Sequence, residues 1–356
     1  MNPRKLWLDI MFYQGHDRMP VIHWTQWPET TARWHQEGWP EDVDIHTFLK
    51  TSPHWAGLGV NLNLFPPFEP KVLEETKDYR IVRGSDGVVQ QEWKNKSCIP
   101  HYIDFTLKSA SDWPAFKKRL QPDKGRIPSD LDKKITAARV SDLPVVFSTA
   151  SLMGWIRNWM GVVNMSYLMY DSPRVFADMV MTLADLTCWA IDQVLPRMPQ
   201  PPDMGFGWED ICGKAGPLVS PVIFRKYVAP GYLRIREKLE SYGVRLLGID
   251  SDGDVRPLIG EWLRAGVNVQ FPIEIGTWQA DPYQIRQQFG RELRIIGGFN
   301  KLALEKGPEE IDAEIARRLP LMKEGGFILM PDHLITPGTS LSNYRYFLDR
   351  MRSLRF

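Results

Sequence analysis

Cysteine is scarce in this chain of 356 residues: Cys98, Cys188 and Cys212 are the only three. They lie far apart and form no CxxC pair, which excludes a disulfide framework and a thiolate zinc site. An excess of one charge is missing as well, since 44 basic residues face 43 acidic ones and leave a formal net charge of +1. That balance argues against an extended nucleic-acid surface, which needs Lys and Arg concentrated on one face. No run approaches the roughly 18 apolar residues of a membrane span. The first twenty residues, MNPRKLWLDIMFYQGHDRMP, lack a continuous apolar stretch and a small-residue cleavage site. They predict a short amphipathic helix rather than a signal peptide, and a cytoplasmic protein. No GxGxxG follows the first strand candidate and no P-loop appears, which removes the usual nucleotide signatures.

What is present is ordinary for a globular chain: 43% hydrophobic and 24% charged residues, too apolar for disorder. One bias stands out. Fourteen Trp and fourteen Met are many for this length. Core filling is the simpler account, and a pocket for a flat or greasy ligand is the other, because both side chains offer large, adaptable contact area.

Strand-like and helix-like segments alternate through the second half. Apolar runs occur at 143–149 (LPVVFST), 204–209 (MGFGWE), 244–252 (VRLLGIDSD), 267–274 (VNVQFPIE), 293–300 (LRIIGGFN) and 326–333 (GFILMPDH). Between them Ser220-Pro221 and Asp281-Pro282 read as helix N-caps followed by proline, and Pro308-Glu309-Glu310 opens a further helix with acids at its positive end. Strands alternating with helices imply parallel pairing. Two earlier runs, 20–24 (PVIHW) and 59–64 (GVNLNL), raise the strand count to eight, as in an α/β (β/α)8 TIM barrel. Two stretches break the rhythm within a single domain spanning 1–356. Residues 79–104 contain a turn at Ser85-Asp86-Gly87 between β-rich arms and predict an inserted hairpin. Residues 151–197, rich in Met and Trp, predict a helical cap over the barrel mouth.

A barrel draws its site from the C-terminal ends of its strands. Those ends here read His23, Asn61 and Asn63, Ser148 and Thr149, Glu209 and Asp210, Asp250 and Asp252, Glu274, Asn300, and Asp332 with His333. Strands also turn polar simply where they meet solvent or cap a helix; Asp210 and Asp254 suit that plainer role. Asp250-Ser251-Asp252 carries the sharpest signal, because residues two apart on a strand share a side. Two adjacent carboxylates cannot both ionise cheaply, so they either keep a proton or share a cation; a solvated loop is the third account. His333 is the only histidine after His101. With Asp252 and Glu209 it would form a His-carboxylate set with open positions, suited to zinc or another borderline divalent ion.

The same segments carry a family resemblance. EDICGKAGPLVSPVIFRKYVAP (209–230), RIIGGFNKLAL (294–304), ILMPDHLITPGTSLSNYRYF (328–347) and DRMPV (17–21) resemble the uroporphyrinogen decarboxylase superfamily, with His333 falling on that family's histidine. The resemblance spans nearly the whole chain and implies a (β/α)8 barrel with its site at the C-terminal mouth. True uroporphyrinogen decarboxylases have an arginine-rich segment after the first strand. Here that place reads His23-Trp24-Thr25-Gln26-Trp27-Pro28-Glu29, without an arginine until Arg33, so a polyanionic tetrapyrrole would lose its partners. The chain is closer to the cobamide-dependent methyltransferases. Their thiol-activating members hold zinc with His-x-Cys and a later Cys, where this chain has Asp250-Ser251-Asp252 and His333. Oxygen ligands make an ion a stronger Lewis acid, suited to an ether or alcohol oxygen.

The resemblance therefore implies an enzyme that takes a methyl group from a small methoxylated or methylamine-like substrate and delivers it to cobamide on a separate corrinoid protein. Asp252, Glu209 and His333 would hold a metal, zinc by the family's precedent, or share a proton at the leaving heteroatom. Asp250 and Asn300 would orient them. Trp208, Trp24, His23 and Glu274 would belong to the substrate wall, with the Met/Trp cap excluding water. Two rivals remain. One is a decarboxylase or lyase of a small carboxylated substrate, with His333 or Asp252 as proton donor and Arg256 and Lys301 as carboxylate partners. The other is a non-catalytic corrinoid- or tetrapyrrole-binding protein. Exposed apolar residues of the cap would support a homodimer.

Overall fold

Short apolar runs become the staves of a curled parallel sheet. The computed structural model describes residues 2–95 and 97–356. In chain order the strands begin with β1 (Ala56–Leu58), followed by an inserted group, β2 (Lys71–Glu75), β3 (Tyr79–Arg83), β4 (Val89–Trp93) and β5 (His101–Asp104). Next come β6 (Val145–Ser148) and β7 (Met204–Trp208), then a two-stranded ribbon of β8 (Cys212–Gly213) and β9 (Gly216–Pro217). The last four are β10 (Leu247–Asp250), β11 (Val269–Phe271), β12 (Arg294–Phe299) and β13 (Phe327–Pro331). The main sheet has seven strands in the order β1-β6-β7-β10-β11-β12-β13, every pair parallel. Its strands are apolar almost throughout because helices cover the outer face and side chains fill the inner one.

The eighth stave differs from the sequence expectation. Residues 20–24 form no extended strand. They contribute isolated bridges, Ile22 with Ser52 on one side and Gln26 with Ile335 on the other. Pro20 has no N–H to give and Pro28 already opens the next helix, so little ladder can form between them. Even so, His23 and Trp27 N–H donate to Ser52 and Ile335 carbonyls, both at 3.1 Å, and bring the segment between β1 and β13. The second expected strand, 59–64, is a loop, and the strand itself lies just before it at β1. Alternating GVNLNL looks like a strand, but the Asn61 side chain accepts the Asn63 N–H at 3.0 Å and turns the chain.

The insertion is larger than one hairpin. β3 and β4 pair around the Ser85-Asp86-Gly87 turn, with β2 and β5 added outside as a four-stranded antiparallel sheet. The cap consists of the helices Gly154–Asp171 and Pro173–Val194. The first bends at Gly161, whose φ of +76° admits the Phe105 ring where a side chain would collide. Trp159, Met160, Met165 and Met169 are buried, so most of the Trp and Met excess in this segment is core filling. At the opposite end of the barrel the helix Pro3–Met11 buries Leu6, Trp7, Ile10 and Met11, and its Ile10 carbonyl accepts Gly326 N–H at 2.7 Å. Among the described residues no helix is long and apolar enough to cross a membrane.

Candidate functional site

β10 ends at Asp250, in register with Trp208 on β7 and Phe271 on β11. Partners in register share a sheet face, so the carboxylate lies on the same side as two aromatic rings. Phe271 is met edge-on by Trp24 at 4.8 Å between centroids, and Trp55 lies 4.6 Å from Phe206, itself 5.9 Å from Phe271. These rings make an aromatic floor. Trp24, Trp55 and Phe206 keep part of their surface exposed, so the floor faces open space.

Above it the carboxylates gather. Each of Asp210, Asp250 and Asp252 offers an oxygen, and the three lie within 4.8 Å of one another. Asp210 reaches the cluster because its backbone turns into the left-handed region at φ +46°. Its carboxylate accepts the Asp252 N–H at 3.1 Å. His333 Nε2 stands 3.0 Å from Asp252 Oδ2, and Trp24 meets the imidazole edge-on at 6.2 Å. Burial raises the Asp210 carboxyl above its ordinary value, and the Asp252 charge adds to the effect. Asp250 is held well above the carboxylate range, first by burial and then by the charges of Asp210, Asp252 and Glu274. It keeps part of its surface exposed, but protein surrounds most of the group and governs its charging. Arg157 stands beside the cluster, donating to the Asp210 carbonyl and lying 5.3 Å over the Trp208 ring.

Glu209 is not brought into this cluster. It is fully buried and accepts the backbone N–H groups of Leu152, Met153 and Gly154, together with the Tyr232 hydroxyl. Those donors form the start of the helix Gly154–Asp171, where unpaired N–H groups and the positive dipole end attract a carboxylate. Burial pushes its carboxyl up, against the donors that lower it. Asp210, one residue later, occupies the place expected for Glu209. Of the expected set Asp252, His333 and Glu209, the structure brings Asp252 and His333 together and replaces Glu209 with Asp210, so the acids that gather are Asp210, Asp250 and Asp252.

His23 points away from the floor, held between the Tyr344 hydroxyl and Gln26 Oε1, each at 2.8 Å. Burial holds its imidazole down to about 4, so it stays neutral. Glu274 accepts Gly253 N–H at 2.8 Å and has Lys301 Nζ at 3.8 Å. The Asn300 side chain caps Leu302 N–H at 3.1 Å. Asp332 braces Ile275 and Lys301 through their N–H groups at 2.7 and 3.0 Å. These residues build the rim. The rings of Phe206 and Phe271 escaped sequence reasoning because apolar residues in strands carry no mark of which face they take, and Trp55 before β1 and Arg157 on the cap helix lie away from the strand ends.

An all-oxygen trio fits a divalent cation that prefers hard ligands, and the imidazole bonded to Asp252 occupies the outer position that commonly orients a ligating carboxylate.

A family model described as uroporphyrinogen decarboxylase (URO-D) matches residues 147–354. No curated protein matches the chain. Among solved structures, a methyltransferase from Methanosarcina mazei superposes with a TM-score of 0.59 at 14% identity, over 99% of this chain and 98% of its own. A B12-independent methionine synthase from Shewanella sp. W3-18-1 superposes with a TM-score of 0.44 at 10% identity, over 66% of this chain and 67% of its own. At these identities the first likeness is one of fold.

Proposed function

The chain belongs to the uroporphyrinogen decarboxylase family, and from that premise we propose that it is a methyltransferase moving a methyl group from a small methoxylated substrate to a corrinoid protein. The observation that carries this reading is the Asp210, Asp250, Asp252 and His333 cluster standing over an aromatic floor at the strands' C-terminal ends.

Methyl transfer from an ether needs an electrophilic carbon and a leaving oxygen that does not depart as a bare alkoxide. The external nucleophile is the reduced cobalt of the partner's corrinoid. Within this chain the task is to bring a proton to the leaving oxygen. Asp250, held well above the carboxylate range, keeps its proton longest and is the donor. Asp252, itself held by His333, sets its charge beside Asp250 and helps it keep that proton. Trp24, Trp208 and Phe271 surround the methyl end and keep water from competing. With Asp250 deprotonated instead, a divalent ion held by Asp210, Asp250 and Asp252, zinc or a harder one, would supply Lewis acidity at that oxygen in place of the proton.

Decarboxylation is less well supported. The charge the acid cluster carries repels an anionic substrate, and its expected partners are engaged: Arg256 bonds Asp254 at 2.9 and 2.7 Å, and Lys301 faces Glu274. Donors of the methylamine type, cationic at neutral pH, also suit the acid cluster and the aromatic floor.

The test is methylation of cob(I)alamin by a panel of methoxylated donors, with metal analysis of the purified protein. Asp252→Ala is expected to lower kcat by about two orders of magnitude or more. Unchanged transfer in that variant, or turnover releasing carbon dioxide, overturns the reading.

A further inference from the structure

A cavity of about 590 Å³ opens between the inserted sheet and the first turns of the helix Gly154–Asp171, within the size range of small-molecule sites. Its polar lining comes from three directions: Asn63 after β1, Asp86 and Gln90 from the β3–β4 hairpin, and Asn158 with Trp155 and Trp159 from the helix. No Lys, Arg or His lines it. Trp159 is 4% exposed, and its indole N–H bonds no other described residue and is not sealed from open space. A polar group so placed normally finds an acceptor. Arg157, behind the cavity's lining, ties it to the acid cluster by donating to Asn158 Oδ1 at 3.0 Å and to the Asp210 carbonyl.

We infer that this cavity receives the part of the methyl donor remote from the methyl group, and that this part is an uncharged polyhydroxylated ring such as an O-methylated sugar. The inference rests on the methyl-transfer reading and adds the substrate class to it. The free groups form a mixed set. Asn158 has its oxygen occupied by Arg157 and its NH2 free, and Trp159 adds a second donor. Gln90 has its NH2 occupied by Glu92 at 2.7 Å and its oxygen free, and Asp86 spends one oxygen on Val88 N–H at 3.0 Å. Donors beside acceptors suit neighbouring hydroxyls, each of which gives and accepts. The Trp155 and Trp159 rings, 5.7 Å apart and tilted by 41°, offer apolar faces to ring C–H bonds. An anion finds no counter-charge here, and a cation finds Asp86 alone. A flat aromatic ether would leave most of these polar groups unsatisfied.

The chemistry closes on the same site. The bond between methyl carbon and sugar oxygen breaks, and its electron pair stays on the oxygen. That oxygen takes one proton from the acid cluster and leaves as an alcohol, while the methyl carbon bonds to the reduced corrinoid cobalt, a two-electron nucleophile. An alkyl ether has a more basic leaving oxygen than an aryl ether, so it needs that proton more.

The test is saturation-transfer NMR and calorimetry on the full chain with three probes: methyl glucopyranoside, 2-methoxyphenol and choline. The glycoside is expected to bind through its ring C–H protons. Trp159→Phe, which keeps an aromatic face and loses the indole N–H, should weaken it about fivefold or more. Asn63→Ala, in an exposed loop, should weaken it about twofold or more without altering circular dichroism. Binding of methoxyphenol or choline without the glycoside overturns the inference, as does glycoside binding that both variants leave intact. Glycoside binding without transfer to cob(I)alamin defeats only the methyl-transfer reading. Transfer from an aryl ether by a protein that ignores the glycoside defeats only the inference.

Discussion

Replacing Asp250 by Asn removes a carboxyl that the fold makes expensive to charge. The three aspartate oxygens lie within 4.8 Å of one another, and two unit charges at that separation repel by about 3.5 kcal/mol at an effective dielectric of about 20. The native state therefore keeps a proton on Asp250 that the unfolded chain gives up from about pH 3.9 upward. A raised acid makes stability fall as pH rises above the unfolded value, by up to about 1.4 kcal/mol for each pH unit over which the extra proton is held. Asp250→Asn cannot charge, so its stability should gain on the wild type as pH increases, and the two should converge near pH 4. Urea unfolding at pH 5, 6, 7 and 8 with EDTA present measures this directly. A saturating divalent cation should shrink the difference in the wild type's favour, because the charged trio then has a partner. A gap between the two proteins that stays constant from pH 5 to 8 would refute the picture of mutually repelling acids.

Three further outcomes follow from neighbouring features. Glu209→Ala strips the acceptor from three backbone N–H groups and the Tyr232 hydroxyl; denaturant midpoints should report a loss of about 3 kcal/mol or more. Gly154→Ala places a methyl group against the Glu209 carbonyl, so the first turn of the cap must shift; limited proteolysis should cut it faster than the wild type, and unchanged protection would count against that close approach. His23 is held down to about 4 by burial, so the unfolded chain takes its proton first as pH falls from about 6.5, removing up to about 3.4 kcal/mol by pH 4. His23→Gln should flatten that acid limb between pH 6.5 and 4.5, and an identical limb in both proteins would exclude His23 as its source.

The alternation that announces a parallel barrel is local, and so it was legible. Ser220 and Asp281 do accept from Ile223 and Tyr283 N–H at 3.2 and 2.9 Å, as capping residues should. Residues 59–64 misled because alternation records polarity and not hydrogen bonding, and Asn61 spends its side chain on a turn. The Asp252–His333 pair was legible as two strand ends that a closed ring brings together. The exchange of Glu209 for Asp210 was not. It depends on a helix start more than fifty residues earlier, whose bare N–H groups capture the first carboxylate and leave the second to Asp250 and Asp252. Only the folded chain sets those two elements side by side.

The bridged segment 21–27 makes the ring asymmetric in time as well as in shape. Where other staves are stitched by continuous ladders, this one is tied by single backbone pairs to Ser52 and Ile335, so its amides should exchange with solvent first. Trp24 rides on that seam, facing both Phe271 and His333. Opening of this seam would draw Trp24 away from both Phe271 and His333, so one local fluctuation would loosen the aromatic floor and the imidazole together.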